Sequence, residues 1–235
     1  MTTRIDHLVI AAQTLDQGVA WCEATLGLTP APGGEHTQFG TYNRLFKLAT
    51  PRHPLAYCEI IAIQPGAKGP AQANAKRWFD LDDPAMQAAI AISPRLVHFV
   101  ANSDDITADR TALSKLDIDR GPALPASRHS RKGVLRWRIT VRNDGQRLFN
   151  GALPTLIQWG QPEDAEPLRL HPRNSLPRSG ASLQGLAISH PSAARLQAAY
   201  QALGLEGVTI TEGPANIIAT LQTPKGLIQL ESGGI

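Results

Sequence analysis

Two polar residues interrupt apolar stretches near the start of the 235-residue chain: His7 in a predicted strand over 5–12, and Glu59 in one over 57–63. Alternation along the first strand places Ile5, His7 and Val9 on one face and Asp6, Leu8 and Ile10 on the other. An imidazole and a carboxylate on a sheet can bind a divalent metal ion, and Glu59 is also a candidate catalytic group. The alternative for a strand histidine is a hydrogen bond to a neighbouring group, so both interpretations remain open.

The same polar pattern recurs in a second segment. His98 lies in a predicted strand over 96–101 and Gln158 in one over 155–159, at the positions of His7 and Glu59. Helices are predicted after each opening strand, over 15–26 before Gly27 and over 106–116. Each segment therefore has the order βαβββ, and two such units can close on each other to bury the sheet face that one leaves open.

These elements predict an α+β fold with three parts. The expected parts are 1–165, paired βαβββ units forming a cup-shaped mixed sheet; 166–182, a linker; and 183–235, a third βαβββ-like unit. The third unit has Gly185 and Gln229 at the positions of His7 and Glu59. Since it lacks the polar pair, we expect it to serve structure or assembly, by covering an edge or joining two copies in a homodimer.

A helical insertion is predicted over 67–93. Asp83 followed by Pro84 is a typical helix start, with a capping carboxylate before a first-turn proline. Before it, Trp78 and Phe79 are interpreted as apolar anchors of this connection, in preference to ligand contacts.

Composition narrows the classes of protein. With 42% hydrophobic residues and no long apolar run, the chain is expected to be globular, without a membrane span or leader peptide, and cytoplasmic. Residues 128–142 contribute part of the basic excess behind the net charge of +3. We interpret this segment as a solvated basic face, because no nucleic-acid-binding motif accompanies it. Cys22 and Cys58 are expected to be buried thiols, in preference to a disulfide.

Further polar residues could contact a small-molecule ligand. His36, Thr41 and Asn43 fall in a predicted hairpin region after a turn at 33–36, where polar residues either form turns or bind ligands. Arg136 and Arg138 share the face of a strand over 134–141 opposite Leu135, Trp137 and Ile139. That face is either the inside of the cup, where guanidinium groups would bind a carboxylate or phosphate, or solvent.

Several segments together resemble the glyoxalase-like domain family of the vicinal oxygen chelate superfamily. They are Ile5–Ile10, Gly34–Leu45, Tyr57–Ile60, Arg77–Phe79 and Leu153–Trp159. The resemblance spans most of the chain to about Gly160. It implies paired βαβββ units around a divalent metal, as in glyoxalase I, extradiol dioxygenases and fosfomycin-resistance transferases, or a metal-free ligand site, as in bleomycin-binding proteins.

The resemblance also implies the ligand set His7, Glu59, His98 and Gln158. Gln158 departs from the family pattern, since a neutral amide is a weaker ligand than a carboxylate. The four side chains are expected to converge because each lies opposite a residue predicted to pack on a helix, namely Leu8, Ile60, Phe99 and Ile157. This mixed nitrogen and oxygen set suits Zn²⁺, Ni²⁺, Mn²⁺ or Fe²⁺.

Two functions from different classes follow. One is a metal-dependent lyase, isomerase or dioxygenase in which an open metal position binds neighbouring oxygens of a small metabolite. The other is a metal-free protein that binds a small molecule without transforming it. Nucleic-acid binding through the basic segment has little support.

Overall fold

The computed structural model describes residues 3–71, 74–130, 133–161 and 163–234. Its helices are α1 (Leu15–Leu26), α2 (Pro84–Ile92), α3 (Ile106–Ser114) and α4 (Ala193–Leu203). The first eight strands are β1 (Arg4–Ala11), β2 (Ala31–His36), β3 (Thr41–Lys47), β4 (Tyr57–Ile63), β5 (Arg95–Asn102), β6 (Ala123–Ser130), β7 (Gly133–Thr140) and β8 (Thr155–Trp159). The last four are β9 (Ser182–Ser189), β10 (Val208–Thr211), β11 (Asn216–Thr223) and β12 (Gly226–Glu231).

The first eight strands form one mixed sheet in the order β2-β3-β4-β1-β5-β8-β7-β6. Within each unit the opening strand runs parallel to the closing strand, and the two opening strands, β1 and β5, pair antiparallel at the centre. The edge strands β2 and β6 approach each other, so the sheet curves into a nearly closed cup. The predicted α+β fold with paired βαβββ units is confirmed.

The predicted ends of α1 and the predicted start of α2 agree with the structure, while α3 ends at Ser114, two residues before its predicted end. Thr14 caps α1 by accepting the N–H of Gln17, and Gly27 ends it in the left-handed conformation with φ 73°. Asp83 caps α2, with Pro84 as its first residue. None of the described helices is long and apolar enough to span a bilayer.

Apolar side chains pack on both faces of the large sheet. The helix side holds Leu8, Ile60 and Phe99, and the third unit packs on this same core. Cys22 and Cys58 lie there as free, buried thiols, as predicted. Burial raises the pKa of Cys22 to about 12, which keeps this thiol protonated and unreactive.

Two edge strands, β2 and β6, were not predicted from the sequence. Residues 33–36, predicted as a turn, belong to β2, whose pairing with β3 shifts register between Pro32 and Glu35. β6 contains Pro125 and few apolar residues, yet pairs with β7 along its whole length. Glycine, proline and charged residues are common in edge strands, where one side of the backbone needs no partner, and they weaken the strand signal.

The third unit has the predicted element order but a different topology. Its sheet runs β10-β9-β11-β12, with the opening strand β9 parallel to the second strand β10. In the first two units the opening strand is parallel to the last one. The unit is tied to the first sheet by a hydrogen bond from the N–H of Leu183 to the carbonyl of Leu48, 3.0 Å long.

Candidate active site

A cavity of about 40 Å³ lies inside the cup, on the face of the large sheet opposite the helices. One part of its wall is polar and comes from the first unit: His7, His36, Asn43, Tyr57 and Glu59. The opposite part is apolar and comes from the second unit: Leu135, Trp137, Ile139, Ile157 and Trp159. The space suffices for a few water molecules or one functional group of a ligand.

A β-bulge in β1 directs two consecutive polar side chains toward the cup. Ile5 pairs with Ala101 of β5, and His7 pairs with the preceding residue Val100, so Asp6 is the extra residue. Strict alternation predicts Asp6 on the helix side, and this prediction is wrong because of the bulge. Asp6 is fully buried next to the cavity wall.

Asp6 accepts hydrogen bonds from three side chains. The donors are His7 Nδ1 at 2.7 Å, Trp159 Nε1 at 2.8 Å and His171 Nε2 at 3.1 Å. Burial raises the pKa of Asp6, but the attraction and hydrogen bonds of His171 and His7 outweigh it and hold the pKa well below its usual range. An ionised Asp6 therefore fixes His7 as the tautomer with a proton on Nδ1.

The free nitrogen of His7 faces Glu59. The distance from His7 Nε2 to Glu59 Oε2 is 3.7 Å, and both residues are buried. The ring of Tyr57 stacks on that of His7, with centroids 4.6 Å apart. Since Nδ1 is committed to Asp6, the His7–Glu59 pair offers one imidazole nitrogen and one carboxylate to the cavity.

Asn43 and the glycines of β2 position Glu59. The Asn43 amide donates to Glu59 Oε1 at 2.5 Å, and its oxygen accepts the N–H of Gly34 at 2.7 Å. A Cβ added to Gly33 would lie 1.9 Å from that amide oxygen, so a larger residue would displace the amide. Asn43, which is itself bonded to the backbone of β2, thus orients the carboxylate of Glu59.

His36 completes the polar wall as a neutral ring. Its Nε2 lies 3.8 Å from Glu59 Oε1, and its Nδ1 contacts the hydroxyl of Thr41 at 3.1 Å. Burial lowers the pKa of His36 to about 4, with Glu59 opposing the shift and Arg128 adding to it. Of the residues predicted from the hairpin region, His36 and Asn43 line the cavity, and Thr41 supports His36 from behind.

The structure does not bring His98 to the His7–Glu59 pair. His98 Nδ1 donates to the carbonyl of Gly151 at 2.8 Å, and Nε2 accepts the N–H of Thr155 at 3.0 Å. Both ring nitrogens are therefore occupied by hydrogen bonds. Burial, followed by the charges of Arg120 and Arg147, lowers the pKa of His98 well below its ordinary value, so the ring is neutral.

Gln158 lies on the other face of its strand. Its amide donates to the carbonyl of Asp104 at 3.1 Å and accepts the N–H of Ile106 at 3.2 Å, at the start of α3. Leu156 belongs to the helix-side core, and Ile157, predicted to pack on a helix, belongs to the cup. The expected convergence of four ligands is therefore corrected: His7 and Glu59 meet, and His98 and Gln158 do not join them.

Arg136 and Arg138 also lie outside the cup. Their strand β7 directs Leu135, Trp137 and Ile139 into the cavity, so the two guanidinium groups project from the opposite face. Arg138 pairs with Gln158 and thus shares the side of α3. The arginine that does line the cavity is Arg128 of β6.

The connection before α2 forms part of the cavity wall. Trp78 and Phe79 line the cavity and stack with centroids 5.1 Å apart, and Trp78 also stacks on Phe39 at 4.0 Å. They were predicted to anchor this connection in preference to contacting a ligand. Phe79 has φ 59°, an uncommon conformation for an aromatic residue, and it turns this segment toward the cup.

The donor set does not fit the four-ligand metal centre implied by the fold family. Within the described ranges, no three His, Cys, Asp or Glu side chains are arranged to hold a metal ion. The second unit contributes apolar side chains, including Ile157 and Trp159, to the wall facing His7 and Glu59. The first unit therefore offers one imidazole and one carboxylate to the cavity, and the second unit offers no metal ligands opposite them.

Three residues at or beside the cavity were not predicted from the sequence: Asp6, His171 and Arg128. Asp6 is adjacent to His7 in the sequence. Only a β-bulge can bring two adjacent residues of a strand to the same face. His171 lies in the segment predicted as a linker, and it is fully buried against Asp6. Arg128 was grouped with a solvated basic face.

The fold and this cavity define a protein of the vicinal oxygen chelate class, with paired βαβββ units around a central cup. Residues 5–204 match the family described as Glyoxalase-like domain, and the chain belongs to that family. Comparison with curated proteins gives no match.

Comparison with solved structures finds similar chains at low sequence identity. A hypothetical protein from Staphylococcus aureus is 16% identical, with TM-score 0.59, over 98% of this chain and 85% of its own. A variant of methylmalonyl-CoA epimerase from Streptomyces coelicolor, in complex with 2-nitronate-propionyl-CoA, is 19% identical with TM-score 0.39, over 67% of this chain and 98% of its own. A 4-hydroxymandelate synthase mutant from the same organism is 11% identical with TM-score 0.47, over 98% of this chain and 62% of its own.

Proposed function

We propose that this protein is an acid–base enzyme, an isomerase or lyase that moves a proton on a small oxygenated molecule held in the cup. The observation that carries the proposal is the buried pair His7 Nε2 and Glu59 Oε2, 3.7 Å apart. Both atoms are natural proton acceptors. With a proton on Nε2, the pair presents one proton donor and one proton acceptor side by side, as general acid–base catalysis requires.

The pair can act on a carbon next to a carbonyl group. Glu59 takes the proton, the C–H electron pair forms the C=C bond of an enol, and the carbonyl π pair moves to oxygen. That oxygen takes the proton from Nε2 of His7. When Glu59 returns a proton to the same carbon and the enol O–H returns its proton to Nε2 of His7, the result is hydrogen exchange. If the carbon also carries a hydroxyl group, Glu59 can instead protonate the neighbouring carbon of the enediol while that hydroxyl gives its proton to Nε2, which yields an isomer and restores the pair.

The surrounding residues support each role. Asp6 accepts a hydrogen bond from Nδ1 of His7 at 2.7 Å and so stabilises the imidazolium form. Asn43 holds Glu59 Oε1, which leaves Oε2 facing His7. The apolar wall from the second unit excludes water, which strengthens the electrostatic interactions within the cavity.

Hydrogen exchange tests the proposal. Proton NMR in D₂O should show loss of the hydrogens next to the carbonyl of 2-oxobutyrate, hydroxyacetone or phenylpyruvate, faster with the protein than in buffer. E59Q should remove the acceleration, and E35Q, a change at an exposed carboxylate of β2, should retain it. Binding of these probes with no acceleration would contradict proton transfer and favour the protein that only binds its ligand.

A further inference from the structure

We infer that Arg128 binds the carboxylate of a small acid in the cup, which makes carboxylic acids the substrate class of this site. The inference rests on the proposed function for the reaction, but carboxylate binding itself does not require that Glu59 transfer a proton.

Strand register places Arg128 on the inner face of the cup. Arg128 pairs with Leu135 of β7, and paired residues of antiparallel strands project to the same side. Leu135 lines the cavity, as does Arg128 itself. The neighbouring pair Ser127 and Arg136 projects to the opposite side.

The side chain of Arg128 crosses the gap between the two edge strands. A Cβ added to Gly34 of β2 would lie 2.5 Å from both Cδ and Nη1 of Arg128. Glycine at this position lets the guanidinium of β6 lie directly on the backbone of β2. This location is the rim where the two ends of the eight-stranded sheet meet, beside the polar wall.

Arg128 has no acidic partner among the residues that the structure describes. Two other arginines with low exposure are paired with carboxylates, Arg77 with Asp82 at 2.6 Å and Arg147 with Asp80 at 2.8 Å. Arg128 is only partly exposed, and its positive charge reaches His36 and Tyr57. A half-buried guanidinium without a counter-ion on a cavity wall is suited to an anionic group of a ligand.

The cavity favours a carboxylate over a phosphate. A planar guanidinium binds either anion through two parallel hydrogen bonds. Glu59 lies in the same wall, however, and one guanidinium compensates only one negative charge of a ligand, so a second charge would be buried without a partner. The space of about 40 Å³ also suits the smaller group.

Paired acids and amides test the inference directly. Acetate, butyrate and benzoate would be titrated against the protein beside acetamide, butyramide and benzamide, with binding followed by protein-observed NMR. The protein should bind the acids at least ~10-fold more tightly than the amides. R128Q should lose this preference, R128K should keep part of it, and R136Q, on the outer face, should keep it whole.

The outcomes separate this inference from the proposed function. E59Q should still bind benzoate. If the unmodified protein binds the acids but does not accelerate hydrogen exchange, only the proton-transfer proposal fails. An unchanged acid preference in a folded R128Q would overturn the inference, even if exchange occurs. Tighter binding of phenylphosphonate than of benzoate would overturn the assignment to carboxylates.

Discussion

His7 Nε2 lies 3.7 Å from Glu59 Oε2, and the other nitrogen of His7 is bonded to the buried carboxylate of Asp6. The proposed proton transfer depends on this relationship, whereas ligand binding alone would not require it. A ligand group lying against both atoms would contact one group that can donate a proton and one that can accept it. The geometry therefore makes specific demands on each of the three residues.

Removing either member of the pair should abolish proton transfer. E59Q keeps the shape but cannot take a proton, and H7N cannot deliver one from Nε2. General acid–base groups contribute roughly 10²–10⁴-fold to rate, so each variant should lose that much of the exchange rate measured by NMR. E35Q is the matched control, and loss of less than ~10-fold in both variants would contradict the assigned roles.

Replacing Asp6 should destabilise the protein. In D6N, the amide presents N–H groups to a site with three donors, and at least one of them loses its acceptor. Breaking such a buried charged network costs about 3 kcal/mol of unfolding free energy. Urea unfolding at pH 7 measures the loss of unfolding free energy. The control is D16N, a change in the exposed first turn of α1. Equal stability of the two variants would show that the network contributes little.

Stability should fall as pH drops from about 6.5 to about 4, because His36 is buried as a neutral ring. Its pKa is 6.5 in the unfolded reference and about 4 in the folded protein. The unfolded state therefore binds more protons in this window, so unfolding free energy rises with pH there and levels off above it. H36Q should have a shallower slope in urea unfolding between pH 4.5 and 7. A slope equal to that of the unmodified protein would contradict the burial of a neutral His36.

Much of the architecture could be predicted because it depends on local signals. Gly27 ends α1, Asp83 and Pro84 start α2, and apolar alternation indicates the central strands. The edge strands β2 and β6 could not be predicted, since their stability comes from pairing with β3 and β7 rather than from their own composition.

The site was harder to predict because small backbone changes decide which way a side chain points. Glu59 was placed correctly by alternation, and the bulge at Asp6 brought a residue to the cup that alternation assigns to the helix side. For β8, the helix-packing face was taken to include Ile157, which lies in the cup, so Gln158 was assigned to the wrong face. The His98 ring is held by hydrogen bonds to Gly151 and Thr155, which are distant from it in the sequence, so its orientation could not be predicted.

Substitution of Gly33 should damage the site through Asn43. A Cβ in G33A would lie 1.9 Å from the Asn43 amide oxygen and 2.6 Å from its carbonyl oxygen, so the amide must move away from Glu59. The exchange rate should fall with the fold retained by circular dichroism. G185A in β9, where an added Cβ meets nothing within 4 Å, is the control. An unchanged rate in G33A would show that Asn43 does not position Glu59.

The most direct test is hydrogen exchange by protein freed of metal ions. Untagged protein would be treated with a chelator, checked for metal content by mass spectrometry, and assayed with 2-oxobutyrate in D₂O before and after addition of Zn²⁺, Ni²⁺, Mn²⁺ or Fe²⁺. If His7 and Glu59 alone move the proton, the chelated protein should retain its full rate and E59Q should lack it. A rate that disappears on chelation and returns with one of these ions would contradict the account.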